Sequence, residues 1–355
     1  MISTNRQVVI VGASSAVAPR HIEAFHTLPS TQVVALVEVD PNKAEQLRSA
    51  YPAIAVYSRV ADIDQDGIDL AVVCVPDFAH GPVVLECLDR GWNVLCEKPL
   101  TDDVSLAEQL FAHAERAGLV LSVGYQRRHM LSSLGAQIID GLIGELYWVD
   151  AWWLRREGHP DSRREFTRSG SGVRGDLVPH LLSQTLQFLD AGQLVVQARD
   201  WHISPGWSSE DVARLTIRDG KGVELQLNAA YDKPHLAEVD DCGIAVYGTL
   251  GSVHVQLPTS QDELWAHRHP PTLYPRDGSS VRKLEPLPST QRCHLLQAES
   301  VMDTIEAAPT PAAQRSAEMA LIRTVAAAQA SATWHGVAIP VESFETAAEA
   351  RRYVS

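Results

Sequence analysis

Long apolar runs are missing from this sequence. Nothing in its 355 residues approaches the roughly 18 consecutive apolar positions of a spanning helix, and Met1-Ile2-Ser3-Thr4-Asn5-Arg6 leads into only a short apolar strand. No membrane partner is expected, and the expected location is cytoplasmic. Cysteine is scarce and scattered: Cys74, Cys87, Cys96, Cys242 and Cys293 form no CxxC and no Cys/His cluster with zinc spacing. That excludes a disulfide scaffold, points to buried reduced thiols and gives no reason to expect a metal. Positive charge is also short, with 30 Lys+Arg against 44 Asp+Glu and a net charge of -14. Such a surface repels phosphate backbones and anionic lipid, so nucleic acid is not an expected partner. There is no internal repeat and no low-complexity tract.

What is present is ordinary globular material, 45% hydrophobic and 21% charged, in a chain long enough for two domains. From residue 7 to 125, short β-branched runs alternate with amphipathic stretches, the pattern of βαβ units. Strands are read at 7–11, 33–37, 70–75, 93–96 and 119–123, and helices near 18–27, 41–50, 80–90 and 104–117. After about residue 128 strand-like runs follow one another at 145–154, 195–203, 212–218, 223–231, 243–248 and 252–257, then a Pro-rich excursion over 267–292 and helices near 294–307 and 312–334. The expected fold is α/β: a doubly wound parallel sheet over 1–126, then an α+β domain over 127–355 with a large, open-faced, mostly antiparallel sheet. The C-terminal helix is the segment able to pack back on the first domain.

In a doubly wound sheet, ligands sit beyond the carboxyl ends of the strands where the connection order reverses. The segment there is Val11-Gly12-Ala13-Ser14-Ser15-Ala16-Val17-Ala18. Its small residues let backbone N–H groups approach a pyrophosphate at a helix N-terminus. Read as Gly12-x-Ser14-x-x-Val17 it is a poor glycine motif, while Gly12-x-x-Ser15-x-x-Ala18 fits a turn one residue longer. Alone it is no better than an ordinary strand-to-helix turn. Glu38 ends the second strand about 20 residues on, where a carboxylate accepts hydrogen bonds from a ribose and repels a 2′-phosphate. The order strand, small-residue turn, helix, strand, acid favours NAD over NADP.

Two further constellations carry chemistry. In Asn93-Val94-Leu95-Cys96-Glu97-Lys98-Pro99 a lysine stands at the end of a parallel strand, where an ammonium can hydrogen-bond a substrate oxygen, against the alternative of a surface ion pair with Glu97. In the Gly-rich segment 170–182, Asp176 and His180 lie four residues apart, so one helical face can carry an imidazole and the carboxylate that orients it; an N-capping Asp beside an unrelated His is the alternative.

Together these residues resemble the Gfo/Idh/MocA family of sugar and cyclitol oxidoreductases over nearly the whole chain. The likeness rests on the opening loop, Val75-Pro76-Asp77-Phe78-Ala79-His80, Glu97-Lys98-Pro99, Gly124-Tyr125-Gln126-Arg127-Arg128, Asp176-x-x-x-His180 and Tyr247-Gly248-Thr249-Leu250-Gly251-Ser252. The resemblance implies that Lys98 and His180, supported by Asp176, surround the reacting hydroxyl and the nicotinamide. It implies a cofactor set of Gly12, Ser14, Ser15, Ala16, Glu38, Val75, Pro76, His80, Glu97, Lys98 and Gln126, with NAD as cofactor. The implied substrate set is Lys98, Arg127, Trp153, Arg155, Arg156 and His180, for a carbohydrate or cyclitol. Asp77, Gln126, Val178 and Ser183 depart from the usual pattern, the last where an acid often helps to bind substrate hydroxyls. Arg155, Arg156, Arg163, Arg164, Arg168 and Arg174 suit an anionic substrate group, or pair with acids. The expected activity is hydride transfer at a secondary hydroxyl, with an NAD-dependent glycosidase or eliminase and a non-catalytic sensor as alternatives. A homodimer or homotetramer built on the open sheet face is the expected assembly.

Overall fold

A computed structural model of the chain describes residues 5–156, 172–203, 209–233, 240–258, 265–307, 312–342 and 344. Two compact units form, one within Met1–Gln126 and His294–Met319, the other within Arg127–Cys293 and Ala320–Ser355.

The first unit carries strands β1 (Arg6–Val11), β2 (Thr31–Val37), β3 (Ala55–Tyr57), β4 (Ile68–Val73), β5 (Asn93–Glu97) and β6 (Leu121–Gly124), with helices α1 (Ala18–Thr27), α2 (Pro41–Ala50), α3 (His80–Asp89) and α4 (Val104–Ala117). All neighbours pair in parallel in the order β3-β2-β1-β4-β5-β6, so the connection reverses between β1 and β4. Val8, Val9 and Ile10 are fully buried, as continuous apolar runs must be in a sheet covered on both faces. The helices obey their local signals: Asp103 caps α4 by accepting from the Ser105 and Leu106 N–H groups, and Gly118 ends it at φ 67°. The core around Ile10, Phe25 and Leu36 also takes in Ala298, Val301 and Met302, from a helix spanning Thr290–Ala307. The short β3 was invisible in the sequence, because three residues carry no period.

The second unit holds helices α5 (Ser132–Gln137), α6 (Val173–Asp176), α7 (Val178–Thr185) and α8 (Trp265–Arg268); the Thr290–Ala307 helix is α9, and α10 is Ala312–Thr333. Its sheet contains β7 (Leu146–Arg156), β8 (Val195–Trp201), β9 (Val212–Arg218), β10 (Glu224–Lys233), β11 (Asp241–Gly248), β12 (Gly251–Gln256), β13 (Thr272–Pro275), β14 (Arg282–Lys283) and β15 (Ile339–Pro340). The order is β14-β13-β12-β11-β7-β10-β9-β8-β15, antiparallel except where β7 and β10 pair in parallel at its centre. Side chains alternate: Val149, Ala151, Trp153, Leu225 and Leu227 are buried, while Trp148 and Tyr274 are exposed on the other face with Tyr247 and His254 between them. This is the expected α/β plus open-sheet architecture. The Pro-rich excursion proves to contain two short strands, β13 and β14, that complete one end of the sheet. Among the described residues no helix is long and apolar enough to cross a membrane.

Candidate functional site

In the first unit the switch point lies at the ends of β1 and β4. Gly12 takes φ +79°, and a Cβ there would come within 2.7 Å of the Val75 nitrogen, so only glycine lets the two loops close on one another. Ser15 N–H bonds to the Gly12 carbonyl, the Ser15 hydroxyl accepts from Ala18 N–H, and Ala16 is exposed beside them. The first turn of α1 has no acidic residue to compete with an anion. Glu38 is buried at the end of β2, its Oε2 accepting from Ser14 N–H at 3.2 Å and its Oε1 from Asp40 N–H at 3.0 Å. Gln126 is buried just past β6 and its Oε1 has no hydrogen-bond partner among the described residues. A narrow small-residue loop, a strand-end acid and an unmet amide oxygen fit a dinucleotide with a carboxamide at one end.

Two residues of the cofactor set turn inward. Glu97 is buried: its Oε1 lies 2.8 Å from His21 Nε2 and its Oε2 accepts from Lys98 N–H at 3.2 Å. Burial pushes this carboxyl up, yet the His21 bond and the His21, His294 and Lys98 charges outweigh burial and hold it below the usual carboxylate range. The His80 ring meets two carbonyls, Pro99 O at 2.6 Å from Nδ1 and Val75 O at 2.9 Å from Nε2, which leaves no ring nitrogen for a ligand. The His80 ring thus ties two loops of the first unit together. Pro76 is exposed at the start of the turn that leads to His80, and Lys98 is half-buried with Pro99 following through a cis bond.

The second unit gathers its own cluster. Asp176 ends α6, and its Oδ2 accepts from Arg155 at 2.8 Å and from the Tyr231 hydroxyl at 2.9 Å. Burial and then the Asp176 charge push the Tyr231 phenol far above its usual range, so it serves as a donor. His180, buried in α7, packs its ring 5.6 Å from that of Trp153. The Arg127 and Arg155 guanidinium groups lie 4.3 and 5.0 Å from the Trp153 ring centroid, and Trp153 Nε1 donates to Asp240. Trp153 is thus a buried platform for two arginines. Arg127 also donates to the Pro258 carbonyl.

The arginine-rich island is largely balanced by acids where it is described. Arg155 pairs with Asp176 and approaches Asp240 at 3.7 Å, while Arg174 pairs with Asp200 and Glu210. Arg156 is placed by its backbone in β7, and Arg163, Arg164 and Arg168 lie outside the described residues. Tyr231 and Asp240 escaped the sequence reading because their partners lie 55 and 87 residues away in the chain. The five cysteines are buried and unbridged, and burial raises the Cys74 and Cys96 thiols well above their usual range.

Comparison with known proteins agrees with both units. Residues 6–125 match a family model described as an oxidoreductase family with an NAD-binding Rossmann fold, and 133–254 match the GFO/IDH/MocA C-terminal domain. The chain is 30% identical over 260 residues to the inositol 2-dehydrogenase of Rubrobacter xylanophilus, covering 71% of this chain and 72% of that one. It is 36% identical over 182 residues to the dTDP-3,4-didehydro-2,6-dideoxy-alpha-D-glucose 3-reductase of Streptomyces antibioticus, covering 51% and 56%. The chain spans 54–56% of the length of several curated relatives that it matches. In fold it resembles an Agrobacterium radiobacter oxidoreductase solved with NAD+, L-tartaric acid and magnesium, with TM-score 0.81, 18% identity and coverage of 96% and 99%. With both domain models matched in order and an inositol dehydrogenase aligned across more than two thirds of either chain, the protein belongs to the Gfo/Idh/MocA oxidoreductase family.

Proposed function

We propose that the chain is an NAD-dependent oxidoreductase acting at a secondary hydroxyl or keto group of a sugar, amino sugar or cyclitol. When bound, NAD supplies a hydride acceptor at nicotinamide C4, held by the Gly12–Ala16 loop, Glu38, Val75 and the Gln126 amide. Lys98 donates a hydrogen bond to the substrate oxygen and stabilises the negative charge that grows there as its proton leaves. His180 takes that proton during oxidation and returns it during reduction. Asp176 steadies the imidazole one turn away and is itself pinned by Arg155 and Tyr231. The observation that carries this reading is the buried Asp176, whose carboxylate is fixed by two donors next to the helix that bears His180.

The sugar or cyclitol substrate is supported by the relatives named above, an inositol dehydrogenase and a deoxysugar reductase. The family-typical acid after His180 is replaced by Ser183, whose hydroxyl donates to the His180 carbonyl, so hydroxyl recognition falls to other groups. The test is a panel of inositols, free and phosphorylated hexoses and amino sugars, followed by NADH absorbance. Sustained NADH formation with one class supports the proposal. Product formation without net NADH would instead identify transient oxidation, and no binding of NADH would overturn it.

A further inference from the structure

His80 opens α3 and is 2% exposed. Its Nδ1 lies 2.6 Å from the carbonyl oxygen of Pro99 and its Nε2 lies 2.9 Å from that of Val75. A carbonyl only accepts, so the ring holds a loop by donating an N–H to it. Val75 lies two residues beyond β4 and Pro99 two residues beyond β5, and those strands are parallel neighbours in register at Val73 and Cys96. The ring therefore cross-braces the loops that leave two adjacent strands. One of its anchors is the residue immediately after Lys98. On the other side, the Lys98 N–H is held by Glu97 Oε2, whose partner oxygen meets His21.

We propose that His80 is a positioning residue for Lys98. With Glu97 gripping the peptide before Lys98 and His80 gripping the carbonyl after it, the backbone at that lysine is fixed at both ends, and so is the direction in which its side chain leaves. The brace also ties this setting to Val75, against which Gly12 closes, so one buried ring registers the lysine against the dinucleotide loop. An aliphatic residue at position 80 fills space but gives no donor, and two part-buried carbonyls lose their partner. Small displacements of an acid–base group lower turnover steeply, by around a hundredfold for about 1 Å. The inference rests on Lys98 being the group that meets the substrate oxygen.

The test combines spectroscopy and kinetics on the full chain. With 15N-labelled histidine, the His80 resonances, assigned by their loss in His80→Gln, should show a ring N–H protected from exchange with solvent. A ring N–H in free exchange with water would overturn the brace. The chain has only five lysines, so 13C reductive methylation resolves Lys98, assigned through Lys98→Arg. In His80→Leu its methyl signal should move while the other four stay in place, and an unmoved Lys98 signal contradicts the proposal. On a substrate found in the panel, His80→Leu should lower kcat by about ten- to a hundredfold, a larger effect than on KM or NADH affinity, and His80→Gln should recover part of the loss. A matching fall in NADH affinity would overturn positioning of the lysine. Should Lys98→Ala keep full turnover, the acid–base assignment fails, and the two spectroscopic results still decide whether the brace exists.

Discussion

Glu38 commits one carboxylate oxygen to Ser14 N–H and the other to Asp40 N–H, so its charge is fixed at the end of β2 and cannot swing away from a ligand. A 2′-phosphate would meet that fixed charge, and NADH is expected to bind more tightly than NADPH, with Glu38→Ser narrowing the difference in fluorescence titrations. Tighter NADPH binding by the unmodified chain would contradict this. For proton handling, Lys98→Ala or His180→Ala should each cut turnover by about 10²–10⁴-fold with NADH affinity nearly unchanged. Tyr231→Phe removes one of the donors to Asp176; a hydrogen bond to a charged group contributes about 1.5–3 kcal/mol, so thermal stability should drop measurably. Turnover should fall less than in His180→Ala. Equal turnover loss in both variants would mean that Tyr231 itself meets the substrate.

Elements were more legible than contacts. The strand at 7–11 and the helix near 18–27 could be read because valines and isoleucines packed on both faces give an unbroken apolar run, and because Gly12 and the small residues after it punctuate it. By contrast β13, Thr272–Pro275, ends in proline and lies among polar residues, and only its pairing with β12 and β14 makes it a strand. Asp176 and His180 were visible by spacing, but they fall on two helices that meet at Leu177, and the Arg155 and Tyr231 bonds depend on β7 and β10 lying side by side. The tie from α1 to β5 was likewise hidden, since His21 and Glu97 are 76 residues apart. That tie has a pH signature. The Glu97 carboxyl is held low in the folded chain, so its stabilisation is complete above the ordinary carboxylate range, about 4.3, and is lost as the pH falls through the lower folded value. His21→Phe leaves burial unopposed by that bond and should move the acid-unfolding midpoint, followed by circular dichroism, to higher pH. An unchanged midpoint would show that the pair contributes nothing. In α1's approach loop, Gly12→Ala meets both a positive φ and the Val75 backbone, and should destabilise the fold by roughly 1–3 kcal/mol while weakening NADH binding.

At the scale of the whole molecule, the second sheet presents a face whose aromatic side chains run across four strands. Trp148, Tyr247, His254 and Tyr274 follow one another with ring centroids 5.5, 5.6 and 4.9 Å apart, and Trp148 and Tyr274 are more than 40% exposed. A second copy covering this face would bury that stripe, so light scattering is expected to return two or four times the 38.8 kDa chain mass; the single-chain mass at micromolar concentration would refute the assembly. The central claim is hydride transfer from a secondary carbinol carbon, and the most direct measurement follows that hydrogen. A substrate from the panel, deuterated at the carbon that bears the reacting hydroxyl, is oxidised in ordinary water with NAD, and the NADH is weighed by mass spectrometry. The account predicts NADH one mass unit heavier than from unlabelled substrate, and formation of labelled NADH that collapses in Lys98→Ala. Deuterium released to solvent, with NADH of unchanged mass, would contradict it.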